Sequence, residues 1–224
     1  QIRERFGSRK KEGAVLRIAA STIPSQYLLP EIMVRFRERY PGVRLRVMET
    51  DSAGAVEQIL SRRADIGFAG TVLEEKQCVY IPFYQDELVV IIPGEGLEGP
   101  ESAAETAAWI RRMPVILREE GSGTRKEAQR LLRQMGIELS ELNIVASIQN
   151  QETIKRSVRN GMGISILSRL AAEDEIRSGV LRAVPLGETG GKRNINLVFD
   201  RRSLHSTEAE KLIDLVKEMY PDNV

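Results

Sequence analysis

The sequence is poor in the residues that build disulfides and metal sites. Cys78 is the only cysteine, so the chain cannot form an internal disulfide and fits a reducing compartment. We interpret Cys78 as a small packed side chain, with a redox-active thiol as the alternative. His205 is the only histidine, and no cysteine lies near it in the sequence. We therefore predict no metal site.

Long apolar runs and a bias of charge are also absent. No segment approaches the roughly 20 apolar residues of a membrane-spanning helix, and the polar, basic residues 1–13 lack the apolar core of a signal peptide. Lys and Arg total 33 against 32 for Asp and Glu, which leaves no electrostatic attraction to nucleic acid or membranes. We expect a cytoplasmic protein that contacts no membrane and, through these residues, no DNA.

Patterns that indicate catalysis are missing as well. The sequence has no carboxylate pair, no nucleophile with a neighbouring base and no Walker-type phosphate loop at the spacing that such chemistry needs. The acidic run of Glu173, Asp174 and Glu175 is typical of a solvated helix face. We predict that the chain is not an enzyme, has no catalytic residues and needs no cofactor.

What the sequence does contain is a regular alternation of short apolar strands and amphipathic helices. The predicted strands are 14–21, 43–48, 64–69, 88–92, 115–117, 142–148, 164–167, 181–184 and 194–199, and the predicted helices are 27–40, 55–63, 124–135, 151–160, 170–178 and 206–219. This order predicts two small α/β units in tandem. Their parallel strands would be joined by right-handed crossovers and covered by helices on both faces.

The segment 118–125 combines the end of an apolar strand, a glycine-rich turn and the start of a helix. Gly121 and Gly123 allow the backbone to approach a ligand, and Ser122 and Thr124 can donate hydroxyl groups. The following helix offers free amides at the positive end of its dipole. These features predict a binding site for sulfate, phosphate or a carboxylate. The alternative is a flexible turn in which Thr124 is an ordinary helix N-cap.

Polar side chains also follow other predicted strands. Ser21 and Thr22 follow the first strand, Thr71 follows the third, and Gln149 and Asn150 follow a later one. Because ligands of open parallel sheets bind outside the carboxyl ends of the strands, we expect these loops and the glycine-rich turn to face one cleft. Each residue has a simpler interpretation: Ser21 and Thr22 can cap a helix, Asn150 can cap another, and Thr71 can be a plain loop residue.

The charge of the predicted anion site has two possible sources. Arg125 is either the counter-charge of the anion or a solvated side chain in the first turn of its helix. Since the net charge of the chain is only +1, burying an uncompensated anion is costly. We therefore expect neutral dipoles and backbone amides to carry the site.

In these motifs the chain resembles the effector-binding domain of LysR-type transcriptional regulators, from about residue 13 to the C-terminus. The matching pieces are 16–21 with Pro30, then Phe36 with Tyr40 and Pro41, then 64–67, 87–93 and 121–125, and finally Val158, Gly161 and Gly163 leading to 164–167. The resemblance implies the α/β fold of type 2 periplasmic binding proteins. In that fold two Rossmann-like lobes with mixed, mostly parallel sheets are joined by a two-strand hinge.

The resemblance also implies boundaries. Lobe I would comprise 14–87 and 192–224, and lobe II would comprise 88–191. The hinge strands would lie near 86–88 and 185–194. Residues 1–13 would be the remnant of a linker from a missing N-terminal winged helix-turn-helix, through which alone the protein would contact DNA.

The implied function is to sense a small anionic effector and transmit its binding to DNA. The glycine-rich turn is similar to that of family members responding to inorganic or sulfur-related anions. The implied effector-binding residues are Ser21, Thr22, Thr71, Gly121, Ser122, Gly123, Thr124 and Gln149. The resemblance further implies a homodimer through the first-lobe helix, 28–36, packed on the other subunit's second lobe, with a tetramer as an option for the full-length protein.

Two other functions suit the same scaffold. A solute-binding component of an anion transporter would have the same fold and would bind an anion through the same kinds of groups. The polar residues 1–13, which lack the features of a signal peptide, argue against this function. An enzyme would need acid and base groups converging in the cleft, and the predicted loops offer mainly Ser, Thr, Gly and Gln.

Overall fold

A computed structural model describes residues 13–187, 190–203 and 206–221. The strands are β1 (Val15–Ser21), β2 (Arg44–Thr50), β3 (Ile66–Ala69), β4 (Cys78–Pro93), β5 (Pro114–Arg118), β6 (Asn143–Ile148), β7 (Ile164–Ser168), β8 (Leu181–Pro185) and β9 (Lys192–Asp200). The helices are α1 (Leu29–Arg39), α2 (Ser52–Leu60), α3 (Thr106–Arg112), α4 (Gly123–Gln134), α5 (Gln151–Arg159), α6 (Arg169–Arg177) and α7 (Thr207–Met219). The predicted linker remnant, except residue 13, and His205 lie outside the described residues.

The strands form one continuous sheet with the order β2-β1-β3-β9-β4-β7-β5-β6, and β8 pairs with β4. Strands β1, β2 and β3 are parallel, as are β5, β6 and β7, which confirms the predicted crossover units. Every described pairing of β4 and β9 is antiparallel. The sheet is therefore mixed, but parallel pairings do not dominate it as expected, because two long strands run against both units.

Strand β4 connects the two parts of the sheet. Its first part pairs with β9, from Cys78 opposite Asp200 to Glu87 opposite Lys192. Its second part, from Leu88, pairs with β7 and β8. We call β1, β2, β3, β9 and the first part of β4 the first half-sheet, and the remaining strands the second half-sheet.

The sequence pattern located the two ends of β4 but not its continuity. The short strand indicated at Cys78 and Val79 is the start of β4, and the predicted strand over 88–92 is its end. The part between them was missed, where the β4–β9 register shifts between Pro82 and Tyr84. Proline cannot donate to the ladder, and a bulge interrupts the alternation of apolar and polar residues. Helix α3 was also missed.

Some helices begin at other residues than predicted, and their N-caps explain the difference. The predicted helix 55–63 begins at Ser52 instead, because the Asp51 carboxylate accepts a hydrogen bond from the Gly54 amide at 2.6 Å. Before α1 lies a π-helical turn, Pro24–Leu28, whose N-terminus has no side-chain cap. The proposed capping role of Ser21 and Thr22 is therefore wrong.

Each half-sheet packs against its own apolar cluster. The first cluster includes Phe36, Phe68 and Phe83, all fully buried, and the second includes Trp109 and Ile110. Phe68 meets Phe83 edge-on with 5.6 Å between the ring centroids, and Phe83 meets Tyr220 in the same way at 5.4 Å. Residues from β4, β9, α1 and α7 thus share one core. In the described residues, no helix is long and apolar enough to cross a membrane.

We expect Phe83→Ala to lower the free energy of unfolding by about 3–5 kcal/mol, because it removes a fully buried ring and leaves a cavity between two other rings. Urea denaturation measures the loss. Val72→Ala, at a side chain that is 59% exposed, is the control and should change stability by less than about 0.5 kcal/mol. Equal losses in the two variants would contradict this description of the core.

Candidate functional site

A small cavity of about 20 Å³ for the centres of water-sized molecules lies between the two half-sheets. The carboxyl ends of the parallel strands β1, β2, β3 and β5 all lead to it, as expected for this topology. Its lining residues are Ser21, Thr22, Ile23, Asp51, Ser52, Gly70, Arg118, Ser122, Gly123, Thr124 and Arg193. Both halves of the chain therefore contribute to one site.

The N-terminus of α4 forms one wall of this cavity. Ser122 is the N-cap, and its Oγ accepts a hydrogen bond from the Arg125 amide at 3.3 Å. The predicted alternative, with Thr124 as the cap, is wrong: the Thr124 hydroxyl instead accepts a hydrogen bond from Arg193 Nη1 at 3.4 Å. The first turn of α4 presents its free amides and the positive end of its dipole at the cavity.

The two halves approach each other most closely at Gly123. A Cβ placed there would lie 2.7 Å from Thr71 Oγ1 and 2.9 Å from Ser52 Oγ, so any other residue would force these side chains to shift. The Thr71 hydroxyl donates to the Gly123 carbonyl at 3.2 Å. Thr71 thus joins the halves beside the cavity but does not line it.

Ser21 connects two strand ends of the first half-sheet. Its Oγ accepts a hydrogen bond from the Gly70 amide at 3.2 Å, which ties the end of β1 to the end of β3. The Ser21 side chain is buried and lines the cavity together with Thr22. Its hydroxyl hydrogen is left to donate to a ligand, because the oxygen acts as the acceptor in this bond.

Two buried arginines line the cavity from different strands. Arg193, in β9, donates through Nε to Asp86 at 2.8 Å, and Ser168 donates to the other oxygen of Asp86 at 2.7 Å. Arg118, at the end of β5, donates through Nε and Nη2 to Glu119 at 2.9 and 3.0 Å. Arg118 Nη1 and Arg193 Nη2 are buried without a hydrogen-bond partner among the described residues.

These arginines correct one expectation and bear on the two alternatives for Arg125. The site is not carried by neutral dipoles and amides alone, since two guanidinium groups lie in its walls. Arg125 does not line this cavity: its Nη1 donates to the Arg118 carbonyl at 3.0 Å. The sequence did contain a signal for Arg118, because this charged residue directly follows the apolar run 114–117. A residue at the end of a strand on this edge of the sheet lies next to the cleft. No local pattern marked Arg193.

Gln149 and Asn150 lie beside the cavity rather than in it. Both are exposed and line a larger neighbouring cavity of about 530 Å³, to which Thr22, Asp51 and Arg118 also contribute. Asn150 is the N-cap of α5, as predicted, and accepts a hydrogen bond from the Thr153 amide at 3.0 Å. The expectation that all these loops face one cleft holds only if the two cavities are taken together.

Of the other candidates, Gly121 lies near the cavity and Cys78 lies elsewhere. A Cβ at Gly121 would lie 2.9 Å from Asp51 Oδ2, so the turn also approaches the first half at this position. Cys78 is buried, and this burial raises the pKa of its thiol. The thiol is therefore kept protonated, which agrees with a packed side chain. Among the described residues, no group of three or more His, Cys, Asp or Glu side chains is placed to hold a metal ion.

Residues 9–221 match the family described as LysR substrate binding domain. A protein of Anaeromyxobacter dehalogenans named phosphonates import ATP-binding protein PhnC is 32% identical over 93% of this chain and 42% of its own length. The HTH-type transcriptional regulator YeiE of Escherichia coli is 35% identical over 79% of this chain and 59% of its own length. The chain thus spans about half the length of these relatives.

The fold is also that of solved structures. The regulatory domain of CcmR from Synechocystis, determined in complex with 2-PG, superposes with a TM-score of 0.80 at 23% identity, over 93% of this chain and 98% of that one. The mixed α/β architecture of the two half-sheets is therefore the fold of that domain, which confirms the expected fold class.

We expect Asp86→Ala to lower the free energy of unfolding by about 3–5 kcal/mol, because it leaves the Arg193 charge buried without its partner. Thermal or urea denaturation measures the effect. Glu173→Ala breaks the exposed ion pair with Arg177 and should cost less than about 1 kcal/mol. A small loss in both variants would show that the Arg193–Asp86 pair does not stabilise the fold.

Proposed function

We propose, since this chain belongs to the LysR substrate-binding domain family, that it binds a small anion in the cavity between its half-sheets. The observation that carries this proposal is the pair of buried guanidinium nitrogens, Arg118 Nη1 and Arg193 Nη2, that have no hydrogen-bond partner among the described residues. Buried donors without partners destabilise a protein, and an oxyanion would supply the missing acceptors.

The remaining wall suits the same ligand. The start of α4 offers backbone amides and a positive dipole end, and the hydroxyls of Ser21, Thr22 and Ser122 can donate to oxygen atoms. The small size of the cavity favours a compact group such as a sulfate, a phosphate or a simple carboxylate over a bulky organic molecule. Gln149 would contact only a ligand that extends into the neighbouring cavity.

Binding would act on the arrangement of two lobes, 14–87 with 192–224 and 88–191. Strands β4 and β9 are the paired connections between these segments and would serve as the hinge. A ligand held by Ser21 and Thr22 on one side and by Ser122 to Thr124 on the other stabilises the arrangement in which both sides reach it. The ligand can shift the equilibrium between the two arrangements by no more than the difference in its binding free energy for them.

The regulatory output would lie outside this chain. The chain is a LysR-type substrate-binding domain, and the regulators among its relatives are named HTH-type. We infer a full-length cytoplasmic regulator in which a preceding winged helix-turn-helix binds DNA and residues 1–13 belong to the linker. A solute-binding component of a transporter would bind an anion in the same cavity, so the family match rather than the site favours a regulator. An enzyme has no comparable support among the described residues of the site.

We expect Arg118→Gln to weaken binding of sulfate or phosphate by roughly 10- to 100-fold, the value of one charge-assisted hydrogen bond. Isothermal calorimetry on this chain with sulfate, thiosulfate, selenate, phosphate, methylphosphonate and acetate identifies the anion for the comparison. Arg125→Gln is the matched control, because Arg125 bonds to the Arg118 carbonyl and does not line the cavity. If Arg118→Gln, and also Ser122→Ala combined with Thr124→Ala, left every binding constant unchanged, the anion would bind elsewhere.

We further propose a homodimer that uses the first-lobe helix the sequence suggested, but through the exposed face of this helix. The apolar residues of the first-lobe helix, Leu29, Ile32 and Phe36, are fully buried in the chain's own core. The large apolar side chains that α1 and β2 expose are Val34 in α1, and Val47 and Met48 in β2, an edge strand of the described sheet. Large apolar side chains at an exposed sheet edge favour association.

We expect Val34→Glu to raise the dimer dissociation constant at least roughly tenfold, because it places a charge in the proposed contact. Light scattering over a concentration series measures this shift. Val72→Glu, at an equally exposed valine of the β3–β4 loop, should leave association unchanged. A wild-type chain that stays monomeric at high concentration would disprove the dimer proposal.

A further inference from the structure

Asp51 places a carboxylate in the wall of a cavity that otherwise suits an anion. One of its oxygens, Oδ1, accepts the Gly54 amide and caps α2. The capping role accounts for Oδ1 but not for Oδ2. It also does not require a negative charge, because asparagine or serine would cap the helix equally well. In the described part of the chain, Oδ2 takes part in no hydrogen bond or ion pair.

The free oxygen faces the opposite half of the cleft. A Cβ at Gly121 would lie 2.9 Å from Oδ2, so the carboxylate of the first half-sheet reaches the turn that precedes α4. Asp51 also lines the larger neighbouring cavity and so stands at the border between the two. A ligand in the small cavity therefore lies between Asp51 and the arginines.

The charges around the cavity are balanced without Asp51. Arg118 is paired with Glu119, and Arg193 is paired with Asp86. The Asp51 carboxylate thus adds one uncompensated negative charge to the wall. A fully deprotonated anion meets repulsion there, whereas an anion that keeps a proton can donate its O–H to Oδ2.

We propose that Asp51 selects small tetrahedral oxyanions that retain a proton at neutral pH, such as hydrogen phosphate, hydrogen arsenate or a phosphonate monoanion, and rejects sulfate and selenate. This inference rests on the proposed anion site. The arginines and α4 amides take the deprotonated oxygens, and Asp51 accepts the hydrogen bond from the protonated one. The hydrogen bond to the Asp51 carboxylate forms only if the anion carries a proton. The site can therefore distinguish anions of the same size and shape by their protonation alone.

Isothermal calorimetry on this chain at pH 7 and constant ionic strength tests the inference with phosphate and arsenate against sulfate and selenate. We expect the protonated pair to bind at least tenfold more tightly to the wild-type chain. In Asp51→Asn the cap of α2 is kept while the charge is lost, and the amide can donate to any anion. The preference should then fall to near unity, mainly through tighter sulfate binding.

Glu49→Gln is the matched control, because it removes the same charge two residues away, from an exposed side chain outside the small cavity. The tenfold preference should survive in this variant. If Asp51→Asn fails to fold by circular dichroism, Asp51→Ser replaces it, since serine also caps helices.

The outcomes separate the two proposals. Equal binding of the four anions by the wild-type chain, or a preference that persists in the Asp51 variant, would overturn the role of Asp51 and leave the anion site standing. Absence of binding by all four anions, and also by thiosulfate, methylphosphonate and acetate, would overturn both.

Discussion

The ion pair between Arg193 and Asp86 lies where the two halves of the sheet meet, and the geometry of the site depends on it. Asp86 belongs to β4 and Arg193 to β9, the two strands that pair along the junction. The Asp86 carboxylate also accepts the hydroxyl of Ser168 at the end of β7. Removing either member of a buried ion pair leaves an uncompensated buried charge, so this pair stabilises the junction of β4, β9 and β7.

The same arginine leads from the junction to the cavity. Its Nη1 reaches the Thr124 hydroxyl at the start of α4, while its Nη2 has no partner in the described part of the chain. Arg118 is arranged similarly: Glu119 accepts from its Nε and Nη2, and its Nη1 has no partner among the same residues. Unsatisfied buried donors destabilise the protein by themselves, and in the function we propose an oxyanion supplies their acceptors.

This arrangement separates rigid parts from adjustable ones. Each half-sheet has its own apolar cluster, whereas the described residues also meet across the cleft through polar contacts, such as the Thr71 hydroxyl on the Gly123 carbonyl. Polar contacts of this kind exchange for ligand or water contacts more easily than packed cores rearrange. A ligand that replaces them can therefore bias the relative position of the halves without disturbing either core.

The sequence by itself determined the alternation of strands and helices, the parallel units, the glycine-rich turn before α4 and the Asn150 cap, since these depend on local periodicity and on residues close in the chain. It also carried the family resemblance, because that depends on motifs in a fixed order. Tertiary structure alone decided which charges enter the cavity. Arg125 lies beside the turn in sequence but bonds to the Arg118 carbonyl, whereas Arg193 lies about 70 residues away and is brought there by β9. Packing across the whole sheet sets the direction of a side chain and the pairing of distant strands. A local sequence pattern carries no information about that packing.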